Sequence, residues 1–418
     1  MKSIRLIDNV EDWVGGIPKG WNRVPLKRIA WKLNRPTRPD DPIVVCTNKG
    51  KAEYRGEKSP GLVSLTGNGY QGVLSEDLLI HGMDTWHGAI AVSDISGQCT
   101  SVVHVCDSNE NKRFLSYYLR ALSFRGVYKA FSNGVRQNTS DFRSWMKAGE
   151  IPVVLPSLEA QRRIANYLDE KCAQIDRAIE AAEGSIEEYK AYKESIVSHA
   201  VTKGFKSDAK MMESGIEWLG SVPVTWRVRY PKYLFALRKE RARANDVMLT
   251  ASQHHGMIPQ ERFMAKEAYS PVPVEKGHDI LKHVEPGDFV ISMRSFQGGL
   301  EYSQVRGKMS SAYLALYPIS DDIDSSYYRW LFKSPRYIEG LQSTTNLVRD
   351  GQALRYANFL QLWLPVPPID EQQYIADYLD EKCSQIDRAV SAKKAIIEDL
   401  KTYKHSLIYE VVIGKREV

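Results

Sequence analysis

Apolar positions recur every three or four residues along two long stretches of the chain, and the stretches nearly repeat each other. In the first, Ala165, Cys172, Ile179, Ile186, Lys193 and Ala200 take heptad position a, while Gln161, Leu168, Ile175, Ala182, Tyr189 and Ile196 take position d. In the second, Ala376, Cys383, Val390, Ile397, Lys404 and Val411 take a, while Gln372, Leu379, Ile386, Lys393, Leu400 and Leu407 take d. A lysine interrupts position a at the same place in both. The spacing predicts two long helices, the first spanning roughly 65–70 Å at about 1.5 Å per residue. Each stripe needs a covering partner, and the other copy is the nearest one. The pattern therefore predicts an intramolecular antiparallel coiled coil. Its seam is expected at Leu168, Ile175, Ile179, Ile186 and Ile196, and at Leu379, Ile386, Val390, Ile397 and Leu407.

The repeat is visible in the residues themselves. Tyr167–Ala178 reads YLDEKCAQIDRA and Tyr378–Ala389 reads YLDEKCSQIDRA, 211 positions on, differing only at Ala173 against Ser384. Such identity marks two copies of one unit. Each copy opens with a Pro- and Gly-punctuated lead-in, in which Trp13, Pro18 and Trp21 match Trp218, Pro223 and Trp226 at an offset of 205. Short Val/Ile/Leu runs follow, at Gly61–Leu65, Leu78–Ile80, Ala89–Val92, Val102–Val105, Phe289–Met293 and Tyr313–Tyr317, and these predict strands. At an offset of 210, Met83, Gly88, Gly97 and Ser101 fall on Met293, Gly298, Gly307 and Ser311, so hairpins with unusual turn angles are expected. Ser116-Tyr117-Tyr118 likewise falls on Ser326-Tyr327-Tyr328. Basic, amide-rich segments (Asn133–Arg143, Asn346–Arg355) and Pro-bounded strands (Ile151–Pro156, Leu362–Pro368) then lead into the helices, which Ser157 or Asp370 would cap. The expected fold is α+β with a pseudo-two-fold repeat: a β-rich globule over 1–157, a helix over 158–205, a second globule over 206–368, a helix over 369–413 and a tail over 414–418.

Composition adds limits rather than a function. A net charge of +6 is mild and does not by itself point to a polyanion. Five cysteines without a CxxC pair fit small hydrophobes in a reducing compartment, so disulfides and structural zinc are not expected. No apolar run approaches the length of a membrane span and the N-terminus lacks a signal-peptide core, so a cytoplasmic protein is expected. There is no GxxxxGK[ST], no HExxH and no Asn-Pro-Pro-aromatic tetrad. Asp169-Glu170-Lys171 and Asp380-Glu381-Lys382 sit on consecutive helix positions that do not converge on a metal, so they read as exposed faces or partner contacts. His254, His255, His278 and His283 lack companion ligands. The chain is expected not to be an enzyme.

Two unlike globules alternating with two near-identical helices resemble the specificity (S) subunit of type I restriction-modification systems. The resemblance is carried by Glu159-Ala160-Gln161-x-x-Ile164-Ala165-x-Tyr167-Leu168-Asp169 and by Glu371-Gln372-x-x-Ile375-Ala376-x-Tyr378-Leu379-Asp380. Gly215-Ile216-Glu217-Trp218-Leu219-Gly220 and Gly287-Asp288-Phe289-Val290 extend it over essentially the whole chain, while Ala160, opposite Glu371, departs from it. The resemblance implies two target-recognition domains, each reading one half of an asymmetric bipartite site in double-stranded DNA. It implies helices that fix the spacing and dock two methyltransferase (M) subunits, with restriction/translocase (R) subunits in the full complex. S-adenosylmethionine, ATP and Mg would belong to those partners and no cofactor to this chain; no membrane is involved.

Base edges in the major groove are read by Arg, Asn, Gln, Asp and Thr, and phosphates by exposed cations. Candidates for base reading are Asn68, Tyr70, Asp84, Thr85, Trp86, His87, Arg136, Gln137 and Asn138 in the first globule. In the second they are Gln253, His254, Arg294, Ser295, Gln297, Arg349 and Gln352. Asp84–His87 stands where Arg294–Gln297 stands, so one scaffold offers two different edges. Lys27 and Arg28, then Arg229 and Lys232, lead the candidates for phosphate contact, within the clusters Lys27–Arg38 and Arg227–Arg243. These are choices of polar loop residues, not transfers from a motif. The rival classes are a free-standing tandem DNA-binding adaptor without methyltransferase partners, and a nuclease–methyltransferase with a concealed catalytic set.

Overall fold

The computed structural model describes residues 16–38, 40–56, 69–128, 142–206, 208–266, 280–292, 295–344 and 354–418. The chain divides into two compact units, Met1–Glu183 with Lys394–Val418, and Gly184–Lys393. In the first, an antiparallel sheet runs in the order Ala30–Lys32, Val103–Ser108, Leu78–His81, Ile90–Val92. Alternate residues of a strand face opposite ways. Leu78, Ile80 and Cys106 thus meet Phe114, Leu115, Tyr118 and Leu119 of the helix Lys112–Phe124. Leu79, Val103 and Val105 pack instead with Val44, Cys46, Val73 and Cys99. Burial on both faces explains why these strands read as continuous apolar runs. The Asn111 side chain caps the helix by accepting the Phe114 N–H at 2.9 Å.

The second unit repeats this order with Phe235–Leu237, Leu314–Pro318, Phe289–Ile291 and Glu301–Tyr302. The smaller pairs have counterparts too. Asn22–Pro25 with Pro152–Leu155 corresponds to Arg227–Arg229 with Leu364–Val366. Val44–Cys46 with Ala52–Tyr54 corresponds to Leu249–Ser252 with Gly256–Pro259. Tyr70–Val73 with Gly97–Thr100 corresponds to Lys282–Val284 with Gly307–Met309. The matched tyrosines do matched work: Tyr118 donates to Pro152 O at 3.3 Å, and Tyr328 to Pro365 O at 2.8 Å. At Gly97 and Gly307 the expectation of unusual angles fails. Neither has a positive φ; a Cβ there would lie 2.2 Å from Pro42 O and 2.4 Å from Val247 O, so close backbone approach is the reason for glycine.

The long helices span Leu158–Lys203 and Ile369–Val412. Every a and d position named above is buried or half-buried. Of the seam residues, Ile179, Ile196 and Val390 are half-buried and the rest buried. In the first unit Leu168, Cys172 and Ile175 share a core with Leu407, Ile408 and Val411. In the second, Val197, Ala200 and Val201 share one with Ile375, Leu379 and Cys383. Early residues of one helix thus meet late residues of the other, which is the antiparallel arrangement. The interrupting lysines are paired inside each unit: Lys404 Nζ lies 2.6 and 2.8 Å from the Asp176 carboxylate, and Lys193 Nζ 2.6 and 2.7 Å from that of Asp387. Both aspartates belong to the QIDRA repeat, so one charged pair marks the register twice.

The two glutamines at d are fully buried anchors rather than faults. Gln161 accepts the Asn111 N–H at 3.0 Å and donates to Glu110 and to Pro156 O. Gln372 accepts the Asp324 N–H at 2.9 Å and donates to Asp322 O and Pro367 O. Each spans three groups, so each helix start is tied to the globule before it. Ser157 caps as expected, its Oγ accepting the Ala160 N–H at 3.3 Å. Asp370 does not: the Glu371 and Gln372 N–H groups bond to Pro368 O, leaving Asp370 inside the first turn. Left-handed Gly204 (φ +68) and Gly414 (φ +73) terminate the helices beside Trp226 and Trp21 respectively. Glu170, Asp380 and Glu381 are exposed as expected and Asp169 is half-buried, yet both aspartates are engaged. Asp169 accepts from Tyr117 at 2.8 Å, and Asp380 accepts from Trp330 at 2.9 Å and pairs with Arg329. All five cysteines are free and buried, and burial pushes the Cys46 and Cys99 thiols up to about 12.

Three glycine-to-alanine changes separate close approach from helix propensity. Gly97→Ala and Gly307→Ala are expected to destabilise by about 1–3 kcal/mol, because backbone must move. Gly184→Ala, in the helix interior with nothing within 4 Å of an added Cβ, is expected to stabilise by about 0.5–1 kcal/mol. Thermal melts of the three variants check this; a common sign would be inconsistent with the packing described.

Candidate nucleic-acid interface

Two short segments meet at one end of each sheet. In the first unit the hairpin Val44–Cys46/Ala52–Tyr54 ends in the tip Thr47-Asn48-Lys49-Gly50-Lys51. Hydrogen bonds from Thr47 N–H to Lys51 O and from Gly50 N–H to Thr47 O, both 2.9 Å, close the tip, with Gly50 at φ +75. Beside it lies the helical turn Thr85–His87, ended by left-handed Gly88, where an added Cβ would sit 3.7 Å from Asn48 O. Helix Lys112–Phe124 holds both segments. Arg120 Nη2 donates to Lys49 O at 3.0 Å, and Ser123 Oγ, one turn later, donates to Thr85 O at 2.7 Å.

The second unit builds the same pair of segments from different residues. The hairpin Leu249–Ser252/Gly256–Pro259 has the tip Gln253-His254-His255, and the helical turn is Ser295–Gly298. A Cβ on Gly298 would lie 2.8 Å from the Gln253 side chain, so tip and turn touch. Lys333 Nζ joins them, donating to Gly298 O at 2.9 Å, to Gln253 O at 3.4 Å and to the Glu301 carboxylate at 2.7 Å. Gln342 Nε2 adds a bond to Phe296 O at 2.9 Å.

The candidate readers divide accordingly. His87, Gln253, His254 and Gln297 are exposed on these segments, and Asp84 and Trp86 are half-buried there. Tyr70, also half-buried, opens the strand Tyr70–Val73 opposite Thr100. Thr85 and Ser295 are wholly buried, because each opens a helical turn on its core-facing side. Ser295 Oγ is engaged by the Ser292 N–H at 2.8 Å, so neither residue reaches a base edge. Asn68, Arg136, Gln137, Asn138, Arg294, Arg349 and Gln352 lie outside the described residues. Asn48, Lys49 and Lys51 were missed, although the Asn-Lys-Gly sequence between two apolar runs is a turn signal.

The basic face is narrower than the cationic clusters imply. Arg35 forks onto buried Asp77, and Arg238 forks onto buried Asp288 at 2.6 and 2.8 Å. Those carboxylates also accept the Leu74 and Glu285 N–H groups, so both arginines are framework. Lys27 pairs with Glu150, Arg227 with Asp322 and Arg243 with Glu240. Arg28, Lys32, Arg229 and Lys232 stay exposed. His81 Nδ1 accepts the Asp84 N–H at 3.1 Å, and burial lowers its pKa, so it stays a neutral prop for the turn. Buried His283 is held between Asp246 and Glu285 at 2.6 and 2.7 Å. The spacing Gly67-x-Gly69-x-x-Gly72 matches a dinucleotide fingerprint, but Gly72 lies within the strand Tyr70–Val73 and another strand follows, not a helix. Among the described residues no helix is long and apolar enough to cross a membrane.

Burial raises the Glu301 carboxyl to about 7, partly opposed by Lys333. A raised carboxyl stabilises the fold fully below its ordinary value of 4.5, and that contribution is lost as pH rises through about 7. Wild-type stability is therefore expected to fall by roughly 1–3 kcal/mol relative to Glu301→Gln between about pH 5 and about pH 8. Parallel pH–stability curves for the two proteins would show that Glu301 does not titrate there.

No protein-family model matches this sequence, and no curated protein matches it. Solved structures do. A chain from a type I R-M system, solved in work on its complex assembly and conformational transition, superposes with a TM-score of 0.68 at 16% identity, over 95% of this chain and 98% of that one. The HsdS subunit from Thermoanaerobacter tengcongensis superposes with a TM-score of 0.52 at 16% identity, over 96% and 98%. The likeness runs through both globules and both helices, so the chain has the fold of a type I restriction-modification HsdS subunit.

Proposed function

We propose that this chain is the DNA sequence-recognition subunit of a type I restriction-modification complex. The observation that carries the reading is the pair of reading edges: the same tip and turn, on the same sheet order, present His87 and Asn48 in one unit and Gln253, His254 and Gln297 in the other. Equivalent positions with different hydrogen-bonding groups are what two halves of an asymmetric target require. Each globule then reads one half of a bipartite site in double-stranded DNA, and the paired helices set the spacing and dock two M subunits, with R subunits in the full complex. Catalysis, S-adenosylmethionine, ATP and Mg belong to those partners, all in the cytoplasm.

The isolated chain is accordingly expected to bind DNA but neither methylate nor cut it, with methylation appearing only on addition of an M subunit. Catalysis by the chain alone, abolished by a point substitution within it, would sink the reading. Exchanging residues 22–157 for the equivalent globule of a related S subunit is expected to change one half of the modified sequence only, as read by sequencing of modified adenines. Arg28→Ala or Arg229→Ala is expected to weaken binding to all duplexes alike and to lower the salt slope by about 0.9 each. Sequence-dependent losses would instead make those arginines base readers.

A further inference from the structure

We infer that Lys333 and Arg120 are specificity-determining positioning residues, each fixing a reading tip and its neighbouring turn through main-chain carbonyls. The inference rests on the DNA-reading role proposed above. Arg120 is 7% exposed and makes no ion pair among the described residues, and its Nε has no hydrogen-bond partner there. A buried guanidinium with no carboxylate in ion-pair contact is costly, and Asp176 offsets that cost only from farther off. The one hydrogen bond of Arg120 among the described residues goes to Lys49 O at the tip, and the tip lies directly upon it: a Cβ on Gly50 would come within 2.3 Å of Cζ. Phe124, 5.8 Å from the guanidinium to the ring centroid, backs it from behind. The group is placed to hold the loop rather than to solvate a charge.

Lys333 meets the same need from another position. Arg120 corresponds to Trp330 at the offset of 210, so the two cations are not copies of one repeat residue. Lys333 nonetheless grips the tip (Gln253 O), the turn (Gly298 O) and the sheet (Glu301) at once. Base discrimination depends on side-chain donors held within fractions of an ångström, so freeing the tip degrades readout before it degrades folding. Neither cation touches DNA in this account; each acts through the backbone it holds.

The test uses the full chain in complex with its M subunit. Binding is measured on the parent duplex and on duplexes with single base-pair changes in each half, alongside thermal melts. Lys333→Met is expected to reduce discrimination at least about tenfold in the half read by the second globule and to leave the other half unchanged. Lys333→Arg is expected to restore most of it. Arg120→Lys, which keeps a buried cation, is expected to produce the mirror effect in the first half. Because Glu301 shares Lys333, second-half discrimination is expected to vary with pH in the wild type and not in Glu301→Gln. Undiminished discrimination in a folded Lys333→Met, or equal loss in both halves, overturns the inference. A wild-type complex that distinguishes none of the duplexes overturns the DNA-reading role itself.

Discussion

The molecule depends on covering a heptad stripe that cannot be left in water. In each compact unit the stripe of one long helix is closed by the end of the other, brought back from the distant part of the sequence. Apolar burial supplies the drive but little register, since sliding by one heptad would bury similar groups. The lysines at a positions supply it. Lys404 and Lys193 each find a QIDRA aspartate only in one alignment, and a shifted pair would leave a half-buried ammonium without a carboxylate. An aspartate inside the twelve-residue repeat and a lysine at a later a position thereby specify the pairing in both units.

From those helices the globules are hung by polar bonds at fixed points. Gln161 and Gln372 tie each helix start to the backbone just before the helices Lys112–Phe124 and Ser325–Leu331, and Asp169 and Asp380 receive side chains from those same two helices. These are bonds to the framework, made by repeat residues, so they are the same in kind on both sides. Variation is left to the tip and turn, whose side chains differ between the two units. Repeated residues at the helix starts and unlike residues at tip and turn follow from one division of labour.

That division also explains what the sequence revealed and what it hid. The helices and their seam were legible because a 3.5-residue period over six heptads has no other reading, and the sheet because its strands are buried on both faces. The charged and polar assignments fared less well. Arg35 and Arg238 looked like phosphate ligands, yet each forks onto an aspartate some forty to fifty residues away, a pairing no local pattern announces. Thr85 and Ser295 looked like candidates because polar residues flank them; a single helical turn puts adjacent residues on opposite sides, and these two face inward. Asp169 and Asp380 looked unengaged because nothing in their helix shows which side chains of the globule reach them.

The tip and turn pose a further constraint. A segment whose side chains differ between the two units, while its place in the fold does not, cannot be anchored through those side chains. Main-chain carbonyls are the anchors that survive any substitution, and strong cationic donors are the groups best able to hold them. Arg120 with Ser123, and Lys333 with Gln342, take hold of Lys49, Thr85, Gln253, Gly298 and Phe296 by their main-chain oxygens. The tip residues Asn48 and Lys49, or Gln253 and His254, are then free to vary without loss of the loop. Attachment through the backbone is thus what allows one scaffold to carry two different edges, and it places the cost of holding them on the framework rather than on the segments held.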